Sequence, residues 1–432
     1  MKNFIVTRND NSGMSFALYI LSGARKDKVA GTAHFFEHMV TTSYEADEKD
    51  LERELLDLGI SHNAWTSYNA IKIGYTSESL SLYDENVWKK SVDYFGLKFK
   101  RALDGSLFKE ENIDKERTII LNEESLYSKD QRLYAKIFND LSTNYENECM
   151  VVGNSDSIKR IGKTPLWNFA KHNLKQDNIF ITMSLPKYLS DEKVEHLVDY
   201  LFKNWINIIP KGKYESFLDD PKFEIVSKLR KDLPEYMTYN GCTNDVLYCV
   251  LDSKNLTYPE HKLLSGILDQ WTFDAIRTEK ALCYFTTCDP MMDLADHKFC
   301  LISTSEKEHF DEIIDIWKKK LSNFSISNKE KTASITKIRV YYELEAKNAN
   351  ICLIEDIIEF GDIDYLRKIL SILDQDPDFS PYDYYKDELQ NILLTDKSRT
   401  KRGLQKFKDL GRYMLDNIKI RYLYKEEEKD VK

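Results

Sequence analysis

Residues 33–39 read Ala33-His34-Phe35-Phe36-Glu37-His38-Met39. Thr32 stands just before them as a candidate cap, so the stretch is expected to form a short helix. On a helix, positions i and i+4 lie one turn apart on one face, so His34 and His38 can offer two nitrogens to one metal ion. Glu37 sits beside them, where it can take a proton from an attacking water. The order His-x-x-Glu-His reverses the commoner His-Glu-x-x-His, and either order puts two nitrogen ligands and one carboxylate base on a single turn. The bland reading is an ordinary helix with two incidental histidines. The chain has only eight histidines, which makes that coincidence uncommon.

A catalytic zinc takes three protein ligands and keeps a fourth position open, so a third side chain must come from elsewhere. The helical pattern from Lys109 to Ser128 contains Asp114-Lys-Glu-Arg-Thr-Ile-Ile-Leu-Asn-Glu-Glu124. In it Glu116 and Glu123 are close to two turns apart and share a face, whereas Glu124 points away. Taken alone, this segment reads better as a solvated surface helix with ordinary charge.

Composition narrows the function classes. The chain has 432 residues, 42% of them hydrophobic, enough for two or three domains with a large core. A formal net charge of −10 disfavours nucleic acid as a partner, because phosphate binding needs a basic face. No apolar run approaches the roughly 20 residues that a membrane span requires, so no membrane partner is expected. Phe16 to Leu21 is too short and too late for a signal peptide. The seven cysteines contain no Cys-x-x-Cys pair and read as reduced thiols, which makes a cytoplasmic location the expectation.

Working outward from the histidines, Phe16 to Ser22 looks like a strand. Asp47 is a candidate cap for a helix carrying Leu51, Leu55 and Leu58. Ile60 to Thr66 and Ala70 to Ser77 read as strands, the second with Ile71, Ile73 and Tyr75 on one face. Helical patterns follow at 83–103 and 109–128, then a strand at 178–185 and a helix at 191–205. The second half repeats this order loosely: a strand at 246–252, a helix at 259–277, strands at 281–288 and 298–304, and a helix at 310–324. A shift of about 230 residues brings the halves into register. The expected organisation is a domain at 1–209 bearing the histidines, a polar linker at 210–221, and a second, metal-free domain at 222–432. Each is expected to be an α+β unit, a mostly antiparallel sheet with helices packed on one face.

His34-Phe-Phe-Glu-His38, followed by Lys115-Glu-Arg-Thr-Ile-Ile-Leu-Asn-Glu123, resembles the pitrilysin, insulysin and mitochondrial processing peptidase family. Ala30-Gly-Thr-Ala33, Gly59-Ile-Ser-His-Asn-Ala-Trp-Thr66 and Gly153-Asn-Ser-Asp-Ser-Ile158 are also similar to that family's pattern. Val40-Thr-Thr-Ser43 departs from it, standing where relatives carry Phe-Lys-Gly-Thr. The resemblance implies Zn2+ held by His34, His38 and Glu123, with Glu116 supporting the ligands from behind and Glu37 as the catalytic base. It implies that Asn63, Ala64 and Trp65 offer a strand edge to the backbone of a peptide substrate. It also implies that Arg277 holds substrate carbonyls and that Tyr284 donates to the oxyanion. Larger relatives place four such domains in one chain around an enclosed chamber. A chain with two is therefore expected to act as a homodimer, or as a heterodimer with a related subunit. The implied function is a zinc metalloendopeptidase for peptides or unfolded segments, including maturation of a peptide precursor. The alternative is a non-catalytic assembly or substrate-presenting subunit.

Overall fold

The computed structural model describes residues 4–9, 14–77, 85–127, 150–214, 236–239, 245–252, 256–290, 298–345, 349–360, 362–373, 375–376, 379–398, 409–416 and 418–425. The described residues form two compact units, the first drawn mainly from the chain before residue 226 and the second mainly from the chain after it. Most of the linker expected at 210–221 lies outside the described residues.

The first unit holds a five-stranded sheet of β1 (Phe4–Asn9), β2 (Met14–Ile20), β3 (Ser61–Thr66), β4 (Ile71–Ser77) and β5 (Ile179–Pro186), in the order β1-β5-β2-β4-β3. All neighbours are antiparallel except β1 and β5. Alternation decides which side chains face the helices. Phe16, Leu18 and Ile20 of β2, Ile71, Ile73 and Tyr75 of β4, and Ile179, Ile181 and Met183 of β5 join one buried cluster. Helices α1 (Thr32–Thr41), α2 (Ala46–Asp57), α3 (Glu85–Asp104) and α4 (Glu110–Leu126) belong to the same unit. In α1, Ala33, Phe35, Phe36, Met39 and Val40 enter the cluster, so this helix is nearly enclosed and contacts β3, β4, α3 and α4. Its leftover polar stripe is His34, Glu37, His38 and Thr41, the positions that helical spacing places on one side.

The second unit repeats this plan with β6 (Tyr236–Tyr239), β7 (Asp245–Asp252), β8 (Phe285–Asp289), β9 (Lys298–Ser305) and β10 (Lys419–Lys425). Their order is β6-β10-β7-β9-β8, the order of the first sheet strand for strand, again with one parallel pair, β6 with β10. The mostly antiparallel α+β organisation expected for each half is therefore present, with β1, β6 and β10 as strands the sequence reading did not identify.

Three local expectations are corrected. Thr32 is not the cap of α1 but its first residue. The cap position is Gly31, and the Asp27 carboxylate accepts the Ala33 N–H at 3.0 and 3.1 Å. An acid placed there also suits the positive end of the helix. Asp47 lies within the first turn of α2. The cap is Glu45, whose N–H donates to Glu48 Oε2 at 3.3 Å in a capping-box arrangement. Residues 281–284 are not strand, because Ala281 takes a left-handed φ of 53° and turns the chain before β8 begins at Phe285.

Candidate metal centre

Helix α1 supplies His34, Glu37 and His38, and α4 supplies Glu116 and Glu123, with the two helices in contact. His34 Nε2 lies 3.5 Å from Glu123 Oε1, and His38 Nε2 lies 3.4 Å from Glu123 Oε2. Ligand atoms of these three residues all fall within 4.8 Å of one another, the single such His/Cys/Asp/Glu group among the described residues. Glu116 occupies a different place. It is 2% exposed, and its Oε2 is 3.1 Å from His38 Nδ1, the ring nitrogen turned away from the cluster. The two glutamates thus take separate stations behind and before one imidazole. A carboxylate on the far nitrogen fixes ring orientation, as in the carboxylate–histidine–metal arrangement.

Glu37 lies on the same stripe but makes no ligand contact. Thr66, at the end of β3, donates its hydroxyl to Glu37 Oε2 at 2.6 Å, and both residues are buried. Burial pushes the Glu37 carboxyl up and the charge on Glu123 adds to this, while the Thr66 hydrogen bond and His38 pull the other way. The net upward displacement suits a group that takes and returns a proton.

The two imidazoles hold protons differently. Burial, then the neighbouring His38, lowers His34 to about 4. Burial would also lower His38, but Glu116 and Glu123 outweigh it through hydrogen bonds and charge and raise it to about 9. The hydrogen bond from His38 holds Glu123 below the usual carboxylate range. One proton therefore sits on His38 between two carboxylates, and a divalent cation is the natural replacement for it. Two imidazole nitrogens and one carboxylate oxygen, the last on the half-exposed Glu123, fit a metal ion of borderline softness.

Strand β3 is one of the two edge strands of the first sheet among the described residues. Asn63 and Trp65 are exposed, Trp65 by 46%, and Ala64 is half-buried. The Ala64 N–H donates to the Asn63 side chain at 2.9 Å, which covers part of an otherwise open edge. In the second unit, Arg277 and Tyr284 come together: the Arg277 guanidinium lies 5.1 Å from the centre of the Tyr284 ring and 5.0 Å from that of Phe273. Tyr284 is 78% exposed. The left-handed Ala281 lies in the connection that brings them together.

Two contributors escaped the sequence reading: Thr66, which holds Glu37, and Asp27, which caps α1. Asp27 carried a usable signal, an acid a few residues ahead of a helix start. Thr66 had none beyond closing the Asn-Ala-Trp-Thr stretch.

Known proteins match this chain in sequence and in fold. A model of the insulinase family, peptidase family M16, matches residues 4–148. The chain is 30% identical over 166 residues to the beta subunit of the mitochondrial-processing peptidase of Neurospora crassa, a match covering 37% of this chain and 32% of that protein. The chain thus spans about a third of the curated relative's length. A protease from Helicobacter pylori superposes with a TM-score of 0.64 at 16% identity, covering 99% of this chain and 98% of that one. A peptidase M16 inactive domain from Pseudomonas fluorescens superposes with a TM-score of 0.66 at 14% identity, covering 98% and 95%. Residues 4–148 thus match a domain of the insulinase family, peptidase family M16, and the fold of the chain is that of the solved relatives.

Proposed function

We propose that this protein is a zinc-dependent endopeptidase acting on peptides or unfolded segments, in the cytoplasm, as a homodimer or as a heterodimer with a related subunit. The observation that carries the reading is the convergence of His34, His38 and Glu123 within 4.8 Å beside the buried Glu37. The donor set is that of a catalytic zinc site with two histidines and one glutamate. Bound zinc supplies Lewis acidity toward a scissile carbonyl and toward water.

The chain's own residues do the rest. His34, His38 and Glu123 hold the ion, and Glu116 fixes His38. Glu37 takes the proton of the attacking water and returns it to the leaving amine nitrogen, its carboxylate aimed by Thr66. The open β3 edge at Asn63, Ala64 and Trp65 pairs with an extended substrate backbone, so that main-chain hydrogen bonds bind many sequences alike. Arg277 binds substrate carbonyl oxygens and Tyr284 donates to the developing oxyanion. Maturation of a peptide precursor falls within this reaction class. The free thiols Cys249, Cys283, Cys288, Cys300 and Cys352 suit a reducing compartment. A dimer is supported by the curated relative, which is named as one subunit of its peptidase.

A second reading, a non-catalytic subunit, draws on the Pseudomonas relative described as an inactive domain. The presence of both histidines, the base and the carboxylate ligand favours the enzyme. Glu37→Gln separates the two. For an enzyme, it keeps the fold and the metal while hydrolysis of an unstructured peptide falls by at least ~10²-fold. Wild-type protein that is loaded with zinc yet leaves such peptides intact favours the non-catalytic subunit.

A further inference from the structure

In the second unit the chain changes its winding just before Arg277. After the helix Tyr258–Thr272, the stretch Phe273–Thr278 forms one wider turn, in which the Glu279 N–H donates to the Asp274 carbonyl, five residues back, at 2.8 Å. Single wide turns of this kind recur at functional sites. Ile276 is buried and anchors the turn, while Phe273 is exposed and Arg277 half-buried. Four residues apart, these two side chains are neighbours on the helix surface, and the Arg277 guanidinium lies 5.0 Å from the centre of the Phe273 ring.

The segment that follows is fastened through its backbone. The Ala281 N–H donates to the Arg277 carbonyl at 3.1 Å and the Leu282 N–H to the Ile276 carbonyl at 3.0 Å, and Ser305 donates its hydroxyl to the Leu282 carbonyl. With Ala281 in the left-handed region, the chain turns so that the Tyr284 ring meets the same guanidinium at 5.1 Å. Asp274, one turn before Arg277, accepts instead from the Gln270 side-chain amide at 3.0 Å. Among the described residues no carboxylate or carbonyl accepts from the Arg277 side chain. Its contacts are ring faces, and a stacked guanidinium keeps its edge, with all its N–H groups, open to a ligand.

We propose that Phe273 is a positioning residue for substrate binding: its ring fixes the Arg277 guanidinium, and through it the Tyr284 ring, so that both meet a peptide already oriented. The inference rests on the peptidase reading above, which gives Arg277 and Tyr284 to the substrate. A long side chain that is free in water loses rotamer freedom when it binds a carbonyl, whereas one held against a ring has given up that freedom beforehand. Tyr284 is mostly exposed, so core packing does not hold its ring; the guanidinium does.

The test is peptide affinity of the full, zinc-loaded chain carrying Glu37→Gln, which holds a peptide without turning it over. Fluorescence anisotropy of a labelled unstructured peptide reads it. Phe273→Leu keeps an apolar side chain and removes the ring. The expected result is binding weakened about fivefold, the size of one exposed contact between a cation and a ring, with zinc affinity and melting temperature unchanged. Phe273→Tyr keeps a ring face and should bind within about twofold of the parent. In an Arg277→Gln background Phe273→Leu should cost nothing further, because Phe273 acts through Arg277. A loss under about twofold overturns the proposal, as does the same loss in the Arg277→Gln background or in Phe273→Tyr, either of which would mean that the ring acts through packing alone. A wild-type chain that binds peptides but never cleaves them overturns the peptidase reading, while the fivefold loss would still uphold the role of Phe273. A wild-type chain that cleaves peptides, with Phe273→Leu binding as tightly as the parent, overturns this inference only. A chain that binds no peptide overturns both.

Discussion

His34 and His38 are one helical turn apart, yet only His38 holds a proton at neutral pH in the metal-free site. A metal needs both imidazoles neutral, so binding must expel that proton. His38 is raised to about 9 and His34 is lowered to about 4. Across that window one proton leaves per metal bound, and apparent affinity should rise about tenfold per pH unit, levelling off above about 9. Chelator competition at about pH 6 and pH 8 should thus differ roughly a hundredfold, and equal affinities at the two would contradict the proton's placement. Much of this site was legible in the sequence, because helical periodicity is local. The four-residue step from His34 to His38 and the seven-residue step from Glu116 to Glu123 each fix a shared face without knowledge of the fold. Spacing could not tell which glutamate meets the ligand nitrogens and which stands behind, for that depends on how α4 lies against α1. Thr66 was invisible for the same reason: it reaches Glu37 by tertiary packing.

Two stretches that looked like isolated motifs turn out to be one joint between elements. Gly31, just before α1, and Gly153, just before the helix Ser155–Arg160, both have φ of 85°. A Cβ on Gly31 would stand 2.5 Å from the Val152 carbonyl oxygen, and one on Gly153 would stand 2.7 Å from that of Ala30. The two backbones touch, and only glycine allows both the conformation and the approach. Asn154 and Ser157 then close a capping box, each accepting the other's N–H at 2.9 Å. Gly153→Ala should destabilise the protein by about 1–3 kcal/mol through strain alone, and more if the contact with Ala30 cannot relax. Thermal unfolding measures it, with weaker zinc binding as the accompanying sign that α1 has shifted. An unchanged melting temperature would show that the joint is slack. Element by element, β2, β3, β4, β5, β7 and β9 could be read from the sequence as short apolar or alternating runs. The strands β1, β6 and β10 could not: each is recognised by pairing with a strand remote in sequence, as Phe4 pairs with Ile181 and Tyr422 with Tyr236. The bend at Ala281 was hidden because the residue there is not a glycine.

Across the molecule, two sheets share one strand order while their chemistry has diverged. The first unit holds the candidate metal cluster, and among the described residues the second holds no comparable group; it carries Arg277 and Tyr284 instead. This is how a repeated fold specialises, since function resides in sites set on a scaffold rather than in the scaffold. The proposal therefore predicts one metal per chain rather than two, and an assembly larger than one chain. Metal content, solution mass and peptide hydrolysis, taken on one purified sample before and after chelation, test the account most directly. It predicts one zinc per chain, a dimeric mass, and hydrolysis that disappears with the zinc and returns when zinc is restored. It also predicts that Glu123→Gln empties the site more completely than Glu116→Gln. Hydrolysis that survives complete removal of the metal, or a site emptied by Glu116→Gln but not by Glu123→Gln, would contradict it.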